Sequence, residues 1–249
     1  MRVMEVRIFG TKGEMGAAAA AAGADRIREA LAGGGEARIV MASAASQFEV
    51  VEALTVAPGI AWERVTLFHL DEYIGLSSTH PASFSKFLRD RFIAKLPRGL
   101  KGFHAIEGER EAAVECARIG ELLAERAPEV AFIGVGENGH IAFNDPPADF
   151  ETKAPYLVVK LDEICRQQQV GEGWFPNLEA VPTHAMSMSV HQIMKAGRIV
   201  CTVPDERKAA AVQKAVGEMV SPEVPATILQ EHNDCLLFLD ETAASRLPR

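Results

Sequence analysis

The chain is short of every feature that would place it in a membrane or on a nucleic acid. No apolar run reaches the roughly 20 residues that a bilayer-spanning helix needs, and the first residues lack the basic, then apolar, then small-residue order of a secretory leader. A cytoplasmic location is the expectation. Lysine and arginine number 26 against 34 acidic residues, a formal net charge of −8, and they form no long cluster. Nucleic acid and anionic membranes are therefore excluded as expected partners, and an anionic small molecule would need a local cationic site. Cysteine is scarce and scattered: Cys116, Cys165, Cys201 and Cys235 form no C-x-x-C pair and have no histidine at ligand spacing. Neither a zinc site nor a disulfide framework is indicated, and the thiols are expected to be reduced and structural. There is no internal repeat, and no linker is long enough to separate a pair of domains. With 48% hydrophobic residues over 249 positions, a single domain spanning residues 1–249 is expected.

What is present is a strand and helix alternation. Val6–Phe9, Arg38–Met41, Val65–Leu70 and Val130–Gly134 read as strands, as do Tyr156–Leu161, Ala185–Val190, Ile199–Val203 and Cys235–Leu239. The alanine-rich run Glu14–Leu31, stopped by Gly33-Gly34-Gly35, reads as a helix; Phe48–Val56, Phe84–Ile93, Ala112–Leu123 and Glu206–Val216 follow suit. Such alternation implies an α/β fold: a doubly wound, mostly parallel sheet with helices on both faces, a three-layer Rossmann-like arrangement. In open sheets of this kind ligands bind beyond the carboxyl ends of the strands. That rule selects Ser43–Ser46, Asp71-Glu72-Tyr73, Gly134–Asp145 and Pro204–Lys208.

Gly134-x-Gly136-x-x-Gly139 matches a dinucleotide fingerprint as a pattern, but that fingerprint needs a helix to start in the loop. Pro146-Pro147 leaves room for about two turns only, so a catalytic loop fits better. Its His140 has an unperturbed pKa near neutrality, suited to moving protons, with Asn138 or Asp145 to hold its tautomer. Asp71 and Glu72 follow an apolar strand, so alternation sends one into a cleft and the other away. A carboxylate there could act as a general base beside a carbonyl; the competing role is an acidic helix cap, which weighs more for Glu72 than for Asp71. Ser43-Ala44-Ala45-Ser46 before a helix is a candidate anion cradle, Ser46 being equally suited to an ordinary N-cap, and Lys208 in a first turn could supply a positive charge.

Leu70-Asp-Glu-Tyr-Ile-Gly-Leu76, together with Gly134-Val-Gly-Glu-Asn-Gly-His-Ile-Ala-Phe-Asn-Asp-Pro146, resembles the glucosamine-6-phosphate deaminase (isomerase) family, related to 6-phosphogluconolactonases. The Ser43 loop, Ala185-Met-Ser-Met188, Lys208 and Ile228-Leu-Gln-x-x-His232 fall in the family's order, and Ile141-Ala-Phe-Asn-Asp145 departs from the lactonase continuation of the Gly-His pair. The resemblance implies a sugar-phosphate substrate, no cofactor and no metal, and leaves a homo-oligomer open. It implies that Asp71 moves the C2 proton of the open-chain sugar to C1, that His140 opens the pyranose ring, and that the Gly134 backbone faces the sugar. The family's carboxylates beside the histidine fall on Asn138 and Asp145. Its phosphate loop falls on Ser43, Ala44, Ala45 and Ser46, with Glu72 counted among the substrate contacts. Its phosphate-binding arginine is missing, since Glu172-Gly173 precede Trp174-Phe175; Arg166 is the candidate replacement, on a lid-like segment hinged at Gly171 and Gly173. A lactonase, an isomerase for a differently substituted sugar, and a non-catalytic sugar-phosphate sensor are the alternatives.

Overall fold

The computed structural model describes residues 4–248. Seven parallel strands form the central sheet in the order β1 (Glu5–Phe9), β10 (Cys235–Asp240), β9 (Arg198–Val203), β6 (Val130–Ile133), β2 (Ala37–Met41), β3 (Val65–His69) and β5 (Gly102–His104). The interior strands β10 and β6 are buried at every position, as strands covered on both faces must be. One face carries α1 (Lys12–Leu31), α2 (Phe48–Thr55) and α3 (Phe84–Arg91). The other carries α4 (Ala112–Ala124), the four-residue α6 (Val190–Ile193) and α7 (Ala209–Gly217).

Helix α1 starts at a capping box: the Thr11 hydroxyl accepts from the Glu14 N–H, and the Glu14 carboxylate accepts from the Thr11 N–H. Its small residues bring it close to the sheet. A Cβ on Gly23 would lie 2.2 Å from the Phe132 ring, and one on Gly16 would lie 2.3 Å from the Glu49 side chain. The alanine run is therefore a packing surface.

The strands expected over Tyr156–Leu161 and Ala185–Val190 form, but outside the main sheet. β7 (Tyr156–Lys160) and β8 (His184–Met188) pair antiparallel, and β8 pairs antiparallel with β4 (Asp71–Tyr73), making a separate three-stranded sheet. The chain leaves β3 at Leu70 and enters β4 at once, so the second sheet is hung from the carboxyl end of the first. Helix α5 (Glu163–Gly171), which the sequence pattern does not predict, follows β7 and starts at the Asp162 side chain, which accepts from the Cys165 N–H at 2.5 Å. Between Gly134 and Pro155 there is no helix, which removes the dinucleotide pattern's structural requirement. No helix of the described residues is long and apolar enough to cross a membrane.

Candidate active site

Strands β9, β6, β2 and β3 are consecutive neighbours in the sheet, and their carboxyl ends open into one cavity. Ser43–Ser46 line it from β2, Asp71 from β3, Gly134, Gly136 and His140 from β6, and Asp205, Arg207 and Lys208 from β9. Gln168, Gln169 and Glu172 reach in from α5 and its C-terminal end. All four strand-end segments selected by the sequence rule thus meet around a single space.

The Ser43 loop is tied to its neighbours by Gln47, fully buried, whose amide donates to the Ile133 carbonyl at 3.0 Å and the Thr202 hydroxyl at 2.6 Å. Gly134 permits this closeness, because a Cβ there would stand 2.7 Å from the Ser46 hydroxyl. Ser43 lines the cavity, and its hydroxyl is buried with no protein partner. That orphan is an opening for a ligand.

Asp71 and Glu72 separate as strand alternation requires. Asp71 faces the cavity, and burial, then the nearby Glu72 charge, push its carboxyl up to about 8. Glu72 turns to the other side and does not line the cavity. Its carboxylate accepts from the N–H groups of Tyr73, Phe84 and Ser85 and from the Ser83 hydroxyl, at 2.8–3.2 Å. The expected substrate contact is corrected: Glu72 anchors the N-terminus of α3, where free N–H groups and the helix dipole favour a carboxylate.

His140 lies against the bare backbone of Gly136, where a Cβ would come within 2.2–2.5 Å of the ring. Its Nδ1 is 3.0 Å from the Asp145 carboxylate, an ion-pair distance approached off the N–H axis. Burial would raise the Asp145 carboxyl, but His140, the Asp162 N–H and the Asn138 amide outweigh it and hold it below its usual range. The Asn138 amide donates to both Asp145 and Asp162 at 2.9 Å, while its oxygen accepts from the His140 N–H at 3.0 Å. Asn138 therefore orients two carboxylates and a histidine backbone at once. On the far side, the Phe143 N–H donates to Ser187, the residue paired with Asp71 across the small sheet, which locks the histidine loop beside the carboxylate.

Lys208 is buried, which lowers the pKa of its ammonium against the opposing pull of Glu172 and Glu137. Arg166 does not join it. Its guanidinium donates to the carbonyls of Leu178 and Val181 at 2.6 and 3.0 Å, and it lies outside the cavity. The reason is helical spacing: positions 165, 168, 169 and 172 share the inward stripe of α5, and 166 falls off it. The cation missed from the sequence is Arg207, which lines the cavity 3.5 Å from Glu137. Gln168, Gln169 and Asp162 were missed for want of α5, although an aspartate N-cap ahead of a cysteine and glutamine stripe was there to signal that helix.

Among the described residues, His140, Asp145 and Cys165 also bring potential metal-ligating atoms within 4.8 Å of one another. Burial and the adjacent carboxylates push the Cys165 thiol far up, so the protein holds it as a thiol behind the histidine–aspartate pair.

Fold and cavity together define an α/β enzyme working at the carboxyl ends of a parallel sheet, with a buried carboxylic acid and a histidine–aspartate pair facing the same space. The family model for glucosamine-6-phosphate isomerases/6-phosphogluconolactonase matches residues 10–238, and the chain belongs to that family. It is 40% identical over 183 residues to a glucosamine-6-phosphate deaminase of an Exiguobacterium species, covering 73% of this chain and 70% of that one. It superposes on a monomeric glucosamine-6-phosphate deaminase with a TM-score of 0.90 at 29% identity, over 97% of this chain and 99% of the other. A putative 6-phosphogluconolactonase from Neisseria gonorrhoeae shares the fold at a TM-score of 0.76 and 18% identity, over 96% and 100% of the two chains.

Proposed function

We propose that this chain is an amino-sugar isomerase-deaminase that performs the reaction for which its deaminase relatives are named, converting glucosamine 6-phosphate and water into fructose 6-phosphate and ammonia. The observation that carries the reading is the convergence of Asp71, the His140–Asp145 pair, the Ser43 loop and Lys208 on one cavity at four adjacent strand ends.

The steps follow from the proton inventory. His140, held by Asp145 and by the Asn138 amide, moves a proton between the anomeric hydroxyl and the ring oxygen, which opens the pyranose to the aldehyde. Asp71, ionised when it acts, takes the C2 proton while O1 takes up the proton that the substrate's C2 ammonium gives up, which leaves a neutral enolamine; the protonated Asp71 then delivers its proton to C1. The product is a C2 iminium. Water adds to C2, ammonia leaves with the C2–N electron pair, and the ketose remains. Burial makes Asp71 a stronger base than a solvated carboxylate, so one group both abstracts and redelivers the proton. The Gly134 backbone faces the sugar, and Lys208 with the Ser43 loop holds the distal end of the substrate.

The test is turnover. Purified protein incubated with glucosamine 6-phosphate should release ammonia and fructose 6-phosphate in equal amounts, and no release of ammonia at high enzyme concentration from this sugar or from its unphosphorylated form overturns the reading.

A further inference from the structure

The distal end of the cavity contains a carboxylate where a phosphate site needs uncompensated positive charge. Glu172 is almost fully buried, its side chain 4% exposed, and one of its oxygens is 3.9 Å from the Lys208 ammonium, itself 7% exposed. The carboxylate is fixed: Gln168 donates to it at 2.8 Å and the Trp174 indole N–H at 3.2 Å. The second cation of the cavity, Arg207, has its own carboxylate in Glu137, and Asp205 on the same wall is negative and paired with Lys12 at 2.5 Å. Each cation is thus matched, and a phosphate dianion entering here would meet no net positive charge.

Hydrogen-bond chemistry points the same way. An ammonium only donates and a carboxylate only accepts. Lys208 donates to no side chain or carbonyl among the described residues, and its 3.9 Å separation from Glu172 is too long for a direct hydrogen bond. A group that both accepts and donates satisfies the two together. A hydroxyl does so, whereas a phosphate dianion has no proton for Glu172. Ser43, which lines the same cavity, adds a buried, unpartnered hydroxyl.

We infer that Glu172 is a specificity-determining residue that converts the distal subsite from phosphate to hydroxyl recognition, so that the chain accepts an unphosphorylated 2-amino-2-deoxyhexose at least as well as its 6-phosphate. The inference rests on the isomerase-deaminase reading of the same cavity and changes only the class of substrate. Glu172→Gln removes the charge at nearly the same volume and keeps one of the two acceptor oxygens, so it retains the bond from either Gln168 or Trp174, and its circular dichroism and melting temperature are compared with the wild type alongside the kinetics.

The experiment measures kcat/KM by ammonia release for glucosamine and glucosamine 6-phosphate, with the wild type and with Glu172→Gln. The wild type is expected to use glucosamine with a kcat/KM equal to or above that for the phosphate, and Glu172→Gln to move the ratio tenfold or more towards the phosphate. Inorganic phosphate should inhibit the variant competitively at concentrations that leave the wild type unaffected. A wild type that prefers the phosphate tenfold or more overturns the inference and leaves the reaction standing, as does a ratio unmoved by Glu172→Gln. Turnover of neither sugar overturns the reaction and the inference with it.

Discussion

At the residue scale the site is an exercise in setting protonation states. Asp71 is held as a carboxylic acid up to about pH 8 by burial and by Glu72, so the form that abstracts a proton accumulates only above neutrality. The kcat/KM profile should therefore rise with pH along a limb centred near 8, and Asp71→Asn should lose about 10²–10⁴-fold in activity and the limb with it. A flat profile between pH 6 and 9 for the wild type contradicts this assignment. Gly136 makes a separate contribution. Its missing Cβ leaves the space that the His140 ring fills, so Gly136→Ala should displace the ring and lower kcat tenfold or more. Circular dichroism and the melting temperature should change little, because the clash is with a movable side chain at the cavity wall. Unfolding of the variant would instead place Gly136 in the structural framework.

At the scale of elements, α5 links the lid side of the cavity to the histidine. Its N-cap Asp162 accepts from the Cys165 N–H and from the Asn138 amide, and its inward stripe carries Gln168, Gln169 and Glu172. Asp162→Ala should cost about 1 kcal/mol of stability, the usual loss of an N-cap. It should also raise amide exchange through α5 and weaken substrate binding; exchange unchanged in α5 would show that the cap does not hold the helix. This element also marks the limit of legibility. The strands and helices with clear period-2 or period-3.6 patterns form close to the expected positions, from the α1 alanine run to Cys235–Asp240. β4 and β5 are three residues each and α5 is polar on average, so none has a pattern strong enough to read. Without that helix and its inward stripe, nothing in the sequence tells Arg166 apart from the residues that face the cavity.

At the scale of the whole molecule, the buried base is a stability cost as well as a catalytic asset. A carboxyl raised from 3.8 to about 8 binds its proton more tightly in the folded than in the unfolded chain, so between these pH values the native state holds more protons. Stability therefore falls as pH rises through that window, by up to about 1.4 kcal/mol per pH unit from this one group. Asp71→Asn should melt close to the wild type near pH 4, where the carboxyl is neutral in the folded chain and partly so in the unfolded one. At pH 9 it should melt about 10–20 °C higher, the shift that about 5 kcal/mol produces in a chain of this size. Equal melting at both pH values would show that Asp71 is not held protonated by the fold.

The sequence by itself determined the alternation of strands and helices, hence a doubly wound sheet, and the chemical types gathered at its strand ends. Those are local properties: periodicity, turn residues and motif spacing act within a few residues of one another. It could not determine which strands became neighbours or which side chains turned inward. Only the tertiary structure put β9, β6, β2 and β3 side by side, sent Asp71 into the cavity and Glu72 to the start of α3, and set Glu172 beside Lys208 while Arg166 turned away. Side-chain direction depends on strand pairing, helix phase and the partners each polar group finds, and those partners lie far apart along the chain.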